Sequence, residues 1–479
     1  MESVALFLHR VSILWGRAGS RKWLLVAALA AAIVLALPRP AGLDPAGHRM
    51  LALLAFFVIT FVTEALPVGG AFPLVLGWVV FLNIRSPAEA VASIAHDAAL
   101  FMMGALMIAR VLVGRNLHRR ALALFLKRVP PSLPWIMVTM GAFSALASAL
   151  ISDHTVAALM LPVGTSLVIS AGGIRSNPRL GKALMLCIAF SCALGGLASP
   201  SGGSRNVVMM AYLQDIAGVS ISYGEWMVMA APITLLLIPV GVIVPYLVFR
   251  PRTVDLTAAA ASVKRSAEED GPMDRDDWMV LIIFAFTLLA WITVGEHYGI
   301  GVIAISGAFL YLVTGLADWE RDYQHINWGI VWLYFAAITF GRALEASGAA
   351  HWLAEGVMGS VQARLGLESG LGLAASGSVF TALFSQTMSD GPAVALIGPV
   401  ILETARISGT SPLLVGVSGA IASSFAYMLI IGTPSNAIIY ASGYVESRDF
   451  IRAGFWMFLA SLGVLILVMY LWWGFLGIH

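Results

Sequence analysis

The stretch Ser152-Asp-His-Thr-Val-Ala-Ala-Leu-Met-Leu-Pro-Val163 returns later in the chain as Ser389-Asp-Gly-Pro-Ala-Val-Ala-Leu-Ile-Gly-Pro-Val400, and the two copies agree at six positions of twelve. Each copy sets a carboxylate beside a hydroxyl inside a long apolar region. A charge in such surroundings costs about 2.5–3.5 kcal/mol or more unless a polar group faces it. A chain that keeps this arrangement twice is most simply read as folding the two copies toward each other.

The rest of the chain is that of a membrane protein. Of its 479 residues 59% are hydrophobic and 11% charged, against about 25% charged in soluble domains. The mean hydropathy is +0.88. The length allows about ten or more spans of about 20 residues each. A net charge of +2 carries no nucleic-acid footprint. Cys187 and Cys192 lie in one apolar helix at a spacing that suits neither a zinc site nor a disulfide framework, so they read as packing residues. Residues 23–37 are followed by Pro-Arg-Pro rather than a small-residue cleavage site, which makes them a retained first span.

Residues 1–22 read as an interfacial amphipathic helix carrying Arg10, Arg17, Arg21 and Lys22. Apolar spans follow at about 49–66, 69–84 and 98–114, then a basic surface piece from Arg115 to Arg128. Short apolar helices at 134–151 and 155–171 flank the first Ser-Asp, and spans at 182–215 and 227–249 close the half, the former broken near Pro200–Arg205. After the polar linker 250–277 the plan repeats: spans at 278–296, 300–316 and 328–347, a surface helix at 350–366, and short helices at 371–388 and 392–407 around the second Ser-Asp. A span at 411–441 is broken at Gly432–Asn436, and the last is 454–475. Lys and Arg number seventeen in the first-half loops on one side, against Arg39, Arg49 and Arg85 on the other. This bias places the N-terminus in the cytoplasm. With about eleven spans the C-terminus is then on the opposite side and the second half is inverted. The expected fold is an all-α polytopic membrane protein of two inverted repeats, each with a re-entrant helical hairpin and a broken helix. Such halves, with broken helices meeting at the midplane, are typical of secondary transporters.

The polar residues suggest the chemistry. Ser152, Asp153, His154 and Thr155 stand at a helix start, as do Ser389, Asp390, Gly391 and Pro392, and two opposed helix N-termini make a cradle for a small anion. The alternative is that Ser152 and Asp153 merely cap their own helix. Gly202-Gly203 and Thr433-Pro434 open the backbone so that carbonyls can face Na+, with Asn206 and Asn436 satisfying the loops; the alternative is a structural kink in each. Arg205 lies inside the first break and needs a partner, for which Asp153 is the natural choice; it occupies a cation position, contacts the substrate, or forms a purely structural pair. His154 is a proton-linked switch or a neutral hydrogen-bonding residue. Asp390 has no evident partner in its own half and faces a cation or carries a proton. An intramembrane enzyme using Asp153 and Asp390 as paired acids is the remote alternative, since paired hydrolytic acids need no duplicated breaks.

On these residues the chain resembles the divalent anion/sodium symporters, the solute carrier 13 type, which move dicarboxylates, citrate or sulfate. The resemblance runs from about residue 23 to the end and includes Thr63-Glu64-Ala65-Leu66-Pro67, Gly114-Arg115-Asn116-Leu117-His118-Arg119, Gly432-Thr433-Pro434-Ser435-Asn436-Ala437-Ile438 and Ser442-Gly443-Tyr444-Val445 followed by Asp449. It implies a homodimer in the cell inner membrane with an elevator-like moving domain and no organic cofactor. Scaffold spans would be 23–114 and 278–347. Transport elements would be 115–249, with hairpin 134–171 and broken helix 182–215, and 348–479, with hairpin 371–407, broken helix 411–441 and the last span. The family's tip motif is Ser-Asn-Thr, which holds substrate carboxylates and Na+, and a hydroxyl four residues earlier matches Ser148 and Ser385 here. The implied Na+ sites are therefore Ser148, Ser152, Asp153, Gly202 and Asn206 in one half, and Ser385, Ser389, Asp390, Thr433 and Asn436 in the other. This chain departs from the motif by placing Asp153 and Asp390 where the family has Asn, and Arg205 in the first break. The expectation is a small-anion transporter in which Arg205 replaces one Na+ and at most one coupling ion, Na+ or H+, remains near Asp390. The rival within transport is an uncoupled uniporter or exchanger.

Overall fold

The structure is a computed structural model that describes every residue except 1–18, 93–94, 174–176, 253–256, 258–260, 262–264, 266–270, 358–368 and 479. Most of the expected interfacial helix 1–22, most of the linker 250–277 and the end of the surface helix 350–366 therefore lie outside the described residues. All regular elements among the described residues are helical. Counting helices of eight residues or more, they are α1 (Lys22–Ala36), α2 (Pro45–Val62), α3 (Ala71–Phe81), α4 (Asp97–Gly114), α5 (Leu117–Lys127), α6 (Leu133–Leu150), α7 (Asp153–Ser170), α8 (Pro178–Gly196), α9 (Ser204–Ala217), α10 (Tyr223–Phe249), α11 (Arg275–Thr293), α12 (Ile300–Val313), α13 (Trp328–Ala346), α14 (Ala349–Val357), α15 (Gly370–Ser385), α16 (Asp390–Ile407), α17 (Pro412–Ser423), α18 (Pro434–Ala441) and α19 (Ser447–Val468). Nine helices among the described residues are long and apolar enough to cross a membrane. Helices α1, α12, α15 and α17 are shorter apolar helices.

Local chemistry sets the boundaries. Asn177 caps α8 by accepting from Leu180 N, with Pro178 in the first turn where its missing N–H is harmless. Ser222 and Glu225 form a capping box on α10, as Asp274 and Asp277 do on α11. Between α8 and α9, and again between α17 and α18, the helix gives way to a short turn ending in an extended residue, Gly203 or Thr433. In both breaks one asparagine closes the gap. Asn206 Nδ2 donates to Gly196 O at 2.8 Å and Ser199 O at 2.7 Å; Asn436 Nδ2 donates to Ala426 O at 2.9 Å and Leu429 O at 3.1 Å. The acceptors stand ten and seven residues back in each case.

The packing between halves positions the site. Helices α6 and α7 form one antiparallel pair, and α15 and α16 another. Helix α9 of the first half packs on α16 of the second, while α18 of the second packs on α7 of the first. Each broken helix thus delivers its second segment to the other half's hairpin, and the two Ser-Asp tips converge. Two further groups hold α9. The Tyr212 hydroxyl lies 2.6 Å from Ala337 O and 2.9 Å from Ala395 O, sharing its one proton between α13 and α16. Asp215 accepts from Arg342 Nε at 2.8 Å and Nη2 at 3.1 Å, with His96 Nε2 at 3.5 Å. Arg110 Nε donates to Asp322 O at 3.3 Å.

Helices α4 and α12 touch through small residues, as membrane helices do. A Cβ on Gly104 would fall 2.6 Å from Ala304 Cβ. Gly104→Leu is expected to cost about 1–3 kcal/mol by overpacking and to lower the melting temperature of the purified protein in detergent. Gly463→Leu, at a glycine with nothing within 4 Å, is expected to melt like the parent.

Candidate functional site

Both tips and the first break open onto one cavity of about 460 Å³. Ser152, Asp153 and His154 line it from α7, and Ser389, Asp390 and Pro392 from α16. Gly203, Ser204 and Arg205 enter from the first break, Pro434 from the second. Part of the remaining lining was not singled out from the sequence as part of the site. It consists of Pro67, Gly69 and Gly70 before α3, and Asn327, Gly329 and Leu333 at the start of α13. The two glycine turns touch: a Cβ on Gly69 would fall 2.6 Å from Gly329 Cα. The Pro67 end of the Thr63–Pro67 motif was the available signal; no pattern marked Asn327–Gly329. Thr155 and Gly391 stand outside the lining. Glu64 is exposed in a left-handed turn and also lies outside it.

The ionic centre differs from the sequence reading in one respect. Arg205 was expected to face Asp153 alone. Its Nη1 donates to Asp153 Oδ2 at 3.1 Å and also to Asp390 Oδ2. Asp390, expected to face a cation or carry a proton for want of a partner, thus has one from the other half. All three groups are buried: Arg205 is 1% exposed, Asp153 3% and Asp390 4%. Arg205 Nη2 reaches Ala193 O at 3.4 Å, and Nε has no hydrogen-bond partner. With both carboxylates ionised and His154 neutral, the cluster carries one net negative charge.

The tips begin earlier than expected. The helices start at Asp153 and Asp390, not near Thr155 and Pro392, because Ser152 and Ser389 take the N-cap positions. Neither serine makes a side-chain cap hydrogen bond. Each aspartate binds its own helix start instead: His154 N donates to Asp153 Oδ1 at 2.7 Å and Gly391 N donates to Asp390 Oδ1 at 2.7 Å. The expected cradle of free N–H groups is narrowed accordingly, and Pro392 has no N–H to offer. Ser152 holds φ 145°, a glycine-favouring conformation, whereas Ser389 is an ordinary N-cap at φ −60°. Such backbone stores about 1–3 kcal/mol and persists only where the surroundings enforce it. The Ser152 hydroxyl lies 3.0 Å from Thr155 Oγ1 and 3.3 Å from His154 Nδ1, and His154 Nδ1 lies 3.3 Å from Asp153 Oδ1.

The remaining candidate Na+ ligands sit behind the lining. Ser148, Asn206, Ser385, Thr433 and Asn436 are buried, as is Gly202. In the first half the space beside Gly196 and Gly203 is filled by the guanidinium. A Cβ on Gly196 would fall 2.8 Å from Arg205 Nη2, and one on Gly203 2.7 Å from Nη1. A cation already stands there, so these residues do not fit a Na+ while Arg205 is in place. In the second half the position corresponding to Arg205 is Ser435, whose buried hydroxyl has no hydrogen-bond partner. Asn436 Oδ1 beside it is likewise buried and unpartnered, as is Asn206 Oδ1 in the first half, where the guanidinium is the difference. Neutral oxygens suit a hard cation, so the second-half donors fit one.

The family model described as "Sodium:sulfate symporter transmembrane region" matches residues 20–479. Among relatives, a protein of Staphylococcus saprophyticus named sodium-dependent dicarboxylate transporter SdcS is 24% identical over 467 residues, covering 91% of this chain and 88% of its own length. Its namesake from Staphylococcus aureus strain USA300 is 24% identical over 457 residues, covering 90% and 87%. Among solved structures, the YdaH transporter of Alcanivorax borkumensis aligns with a TM-score of 0.53 at 15% identity over 95% of this chain and 97% of that one. Neisseria gonorrhoeae MtrF aligns with a TM-score of 0.55 at 12% identity over 94% of each. These two likenesses show a shared fold.

Removing one partner of a buried ion pair strands the other, at about 3–5 kcal/mol. Arg205→Gln strands two carboxylates and is expected to lower the melting temperature sharply. Adding Asp153→Asn and Asp390→Asn to it is expected to recover most of the loss. A single Arg205→Gln variant that melts like the parent would show that the three groups are not an ionised cluster.

Proposed function

The chain belongs to the sodium:sulfate symporter family, the divalent anion/sodium symporters; it is a membrane transporter rather than an enzyme, and from that premise we propose that it carries a small divalent anion, dicarboxylate- or sulfate-like, with one cation of its binding site supplied permanently by Arg205. The observation that carries this reading is the guanidinium shared by Asp153 and Asp390. A dianion entering a cavity with one net negative charge meets repulsion of about 4 kcal/mol per charge pair at 4 Å and an effective ε of 20. Positive charge must come in with it. Arg205 already fills the first-half cation position, so any coupling ion belongs to the second half, where Ser435, Asn436 and Asp390 supply oxygens for Na+. A proton on Asp390 or His154 would meet the same electrostatic need. Arg205 Nη1 is placed to turn from a carboxylate toward substrate in the cavity it lines.

In this reading the two halves are inverted repeats, and the hairpins 134–171 and 371–407 with the broken helices 182–215 and 411–441 move together against 23–114 and 278–347. The cavity lining supports it, because it joins tips and breaks from the first group to the turns at Pro67–Gly70 and Asn327–Gly329 from the second. The pair Asp215–Arg342 crosses the same boundary and would break as the site moves. We also infer a homodimer in the inner membrane with a cytoplasmic N-terminus. The built-in cation favours one second reading, an uncoupled exchanger in which no Na+ or H+ accompanies substrate.

Uptake of succinate, citrate and sulfate into proteoliposomes, with Na+ and pH gradients imposed separately, tests both readings. The proposal expects uptake of at least one of the three with a hyperbolic, not sigmoidal, dependence on a single coupling ion. Arg205→Ala combined with Asp153→Asn restores the family's tip asparagine and is expected to make Na+ dependence sigmoidal. A parent requiring two Na+ per cycle would overturn the role given to Arg205, and no uptake of any of the three anions would overturn the substrate class.

A further inference from the structure

The end of α8 remote from the tip cavity meets the end of α10 and the start of α19 around a second cavity of about 600 Å³. Its wall bears four cations, Arg179, Lys182, Arg250 and Arg452, against one carboxylate, Asp449. Lys182 is committed to Asp449 Oδ2 at 2.7 Å and Glu446 Oε1 at 3.4 Å. Arg250 spends its Nε on its own helix end, Leu247 O at 3.4 Å. Arg179 and Arg452 remain: among the described residues their guanidinium groups make no hydrogen bond or ion pair. Asn177 Nδ2 donates to Arg252 O at 3.3 Å, so the segments at the mouth of the cup are tied together.

The cup is continuous with an apolar groove. A cavity of about 790 Å³ between α10 and α19 shares Leu247, Val248 and Arg452 with it. Beyond that junction the groove is walled by Val244, Phe455 and Trp456, and Trp456 is 58% exposed. A forked guanidinium matches phosphate oxygens two at a time. An anionic head over an apolar channel on a membrane-facing helix pair is the form of a phospholipid, and basic pockets between membrane helices take acidic headgroups.

We propose that Arg179 and Arg452 form a binding site for one anionic phospholipid, the phosphate held in the basic cup and an acyl chain laid along the α10–α19 groove. The site is separate from the tip cavity and does not depend on which anion is transported. Soluble phosphate shares the head chemistry, but nothing in its chemistry uses the groove.

The test compares lipid retention by the purified full-length protein, using native mass spectrometry with phosphatidylglycerol and phosphatidylcholine of identical acyl chains. Each cation near a membrane surface contributes about fivefold in binding, so Arg179→Gln with Arg452→Gln is expected to lower phosphatidylglycerol retention about 25-fold and to leave phosphatidylcholine retention unchanged. Phosphatidylglycerol carrying brominated acyl chains is expected to quench the parent's fluorescence more than that of Trp456→Phe, a readout that does not require the arginine variants to fold. Equal retention of the two lipids, retention unaffected by the double substitution, or quenching unchanged in Trp456→Phe would each overturn the site. A thermal shift with inorganic phosphate as large as that with phosphatidylglycerol would make it a soluble-anion site and overturn the lipid.

Discussion

One guanidinium shared between two carboxylates sets the terms for everything around it. Taking any of these charges out of water costs several kcal/mol, and only close opposite charge offsets that. Asp153 and Asp390 stand in different halves of the chain, so the cluster exists only if both tips come within reach of one side chain on α9. The crossed packing, α9 on α16 and α18 on α7, meets that requirement. Tyr212, anchored to Ala337 and Ala395, and Asp215, anchored to Arg342, fix α9 to both neighbours below the charge.

The two halves are alike in backbone plan and unlike in charge. The breaks are closed by asparagines with matching acceptors ten and seven residues back. Yet the residue before the asparagine is arginine in one half and serine in the other, and the tips continue as His154 and Gly391. Gly391 has a steric reason, since a Cβ there would fall 2.5 Å from Ser204 Oγ. The imidazole of the first tip lines the cavity, beside a Ser152 held at φ 145°. Both loops keep an unpartnered asparagine oxygen, Asn206 Oδ1 and Asn436 Oδ1, but only the first carries a guanidinium beside it, where the second has the unpartnered hydroxyl of Ser435.

Much of this was legible in the sequence because the signals were local or repeated. Apolar runs placed most of the helices within a few residues, though the last begins at Ser447 rather than 454, and the duplicated Ser-Asp stretch picked out both tips. The Arg205–Asp390 contact was not legible, as it joins residues 185 apart and no local pattern chooses between two candidate carboxylates. The lining at Asn327–Gly329 was missed for a related reason: Gly329 matters through its close backbone approach to Gly69 in a distant turn, which leaves no periodic trace. The helix starts lie two residues before their expected places because Ser152 and Ser389 take the N-cap positions and the aspartates that follow bind the first turn.

The charge count bears directly on energetics. An arginine stays protonated under all biological conditions and cannot leave with the substrate. On the proposed reading, replacing a mobile Na+ by Arg205 keeps the electrostatic help for binding an anion and removes that ion from the transport stoichiometry. Each elementary charge moved across the membrane is worth about 2.3 kcal/mol per 100 mV, so the exchange forfeits that much driving force in every cycle. What the protein gains is affinity that does not depend on external Na+ at that position. A carrier built this way concentrates its substrate less steeply than one with two mobile ions, and works over a wider range of salt.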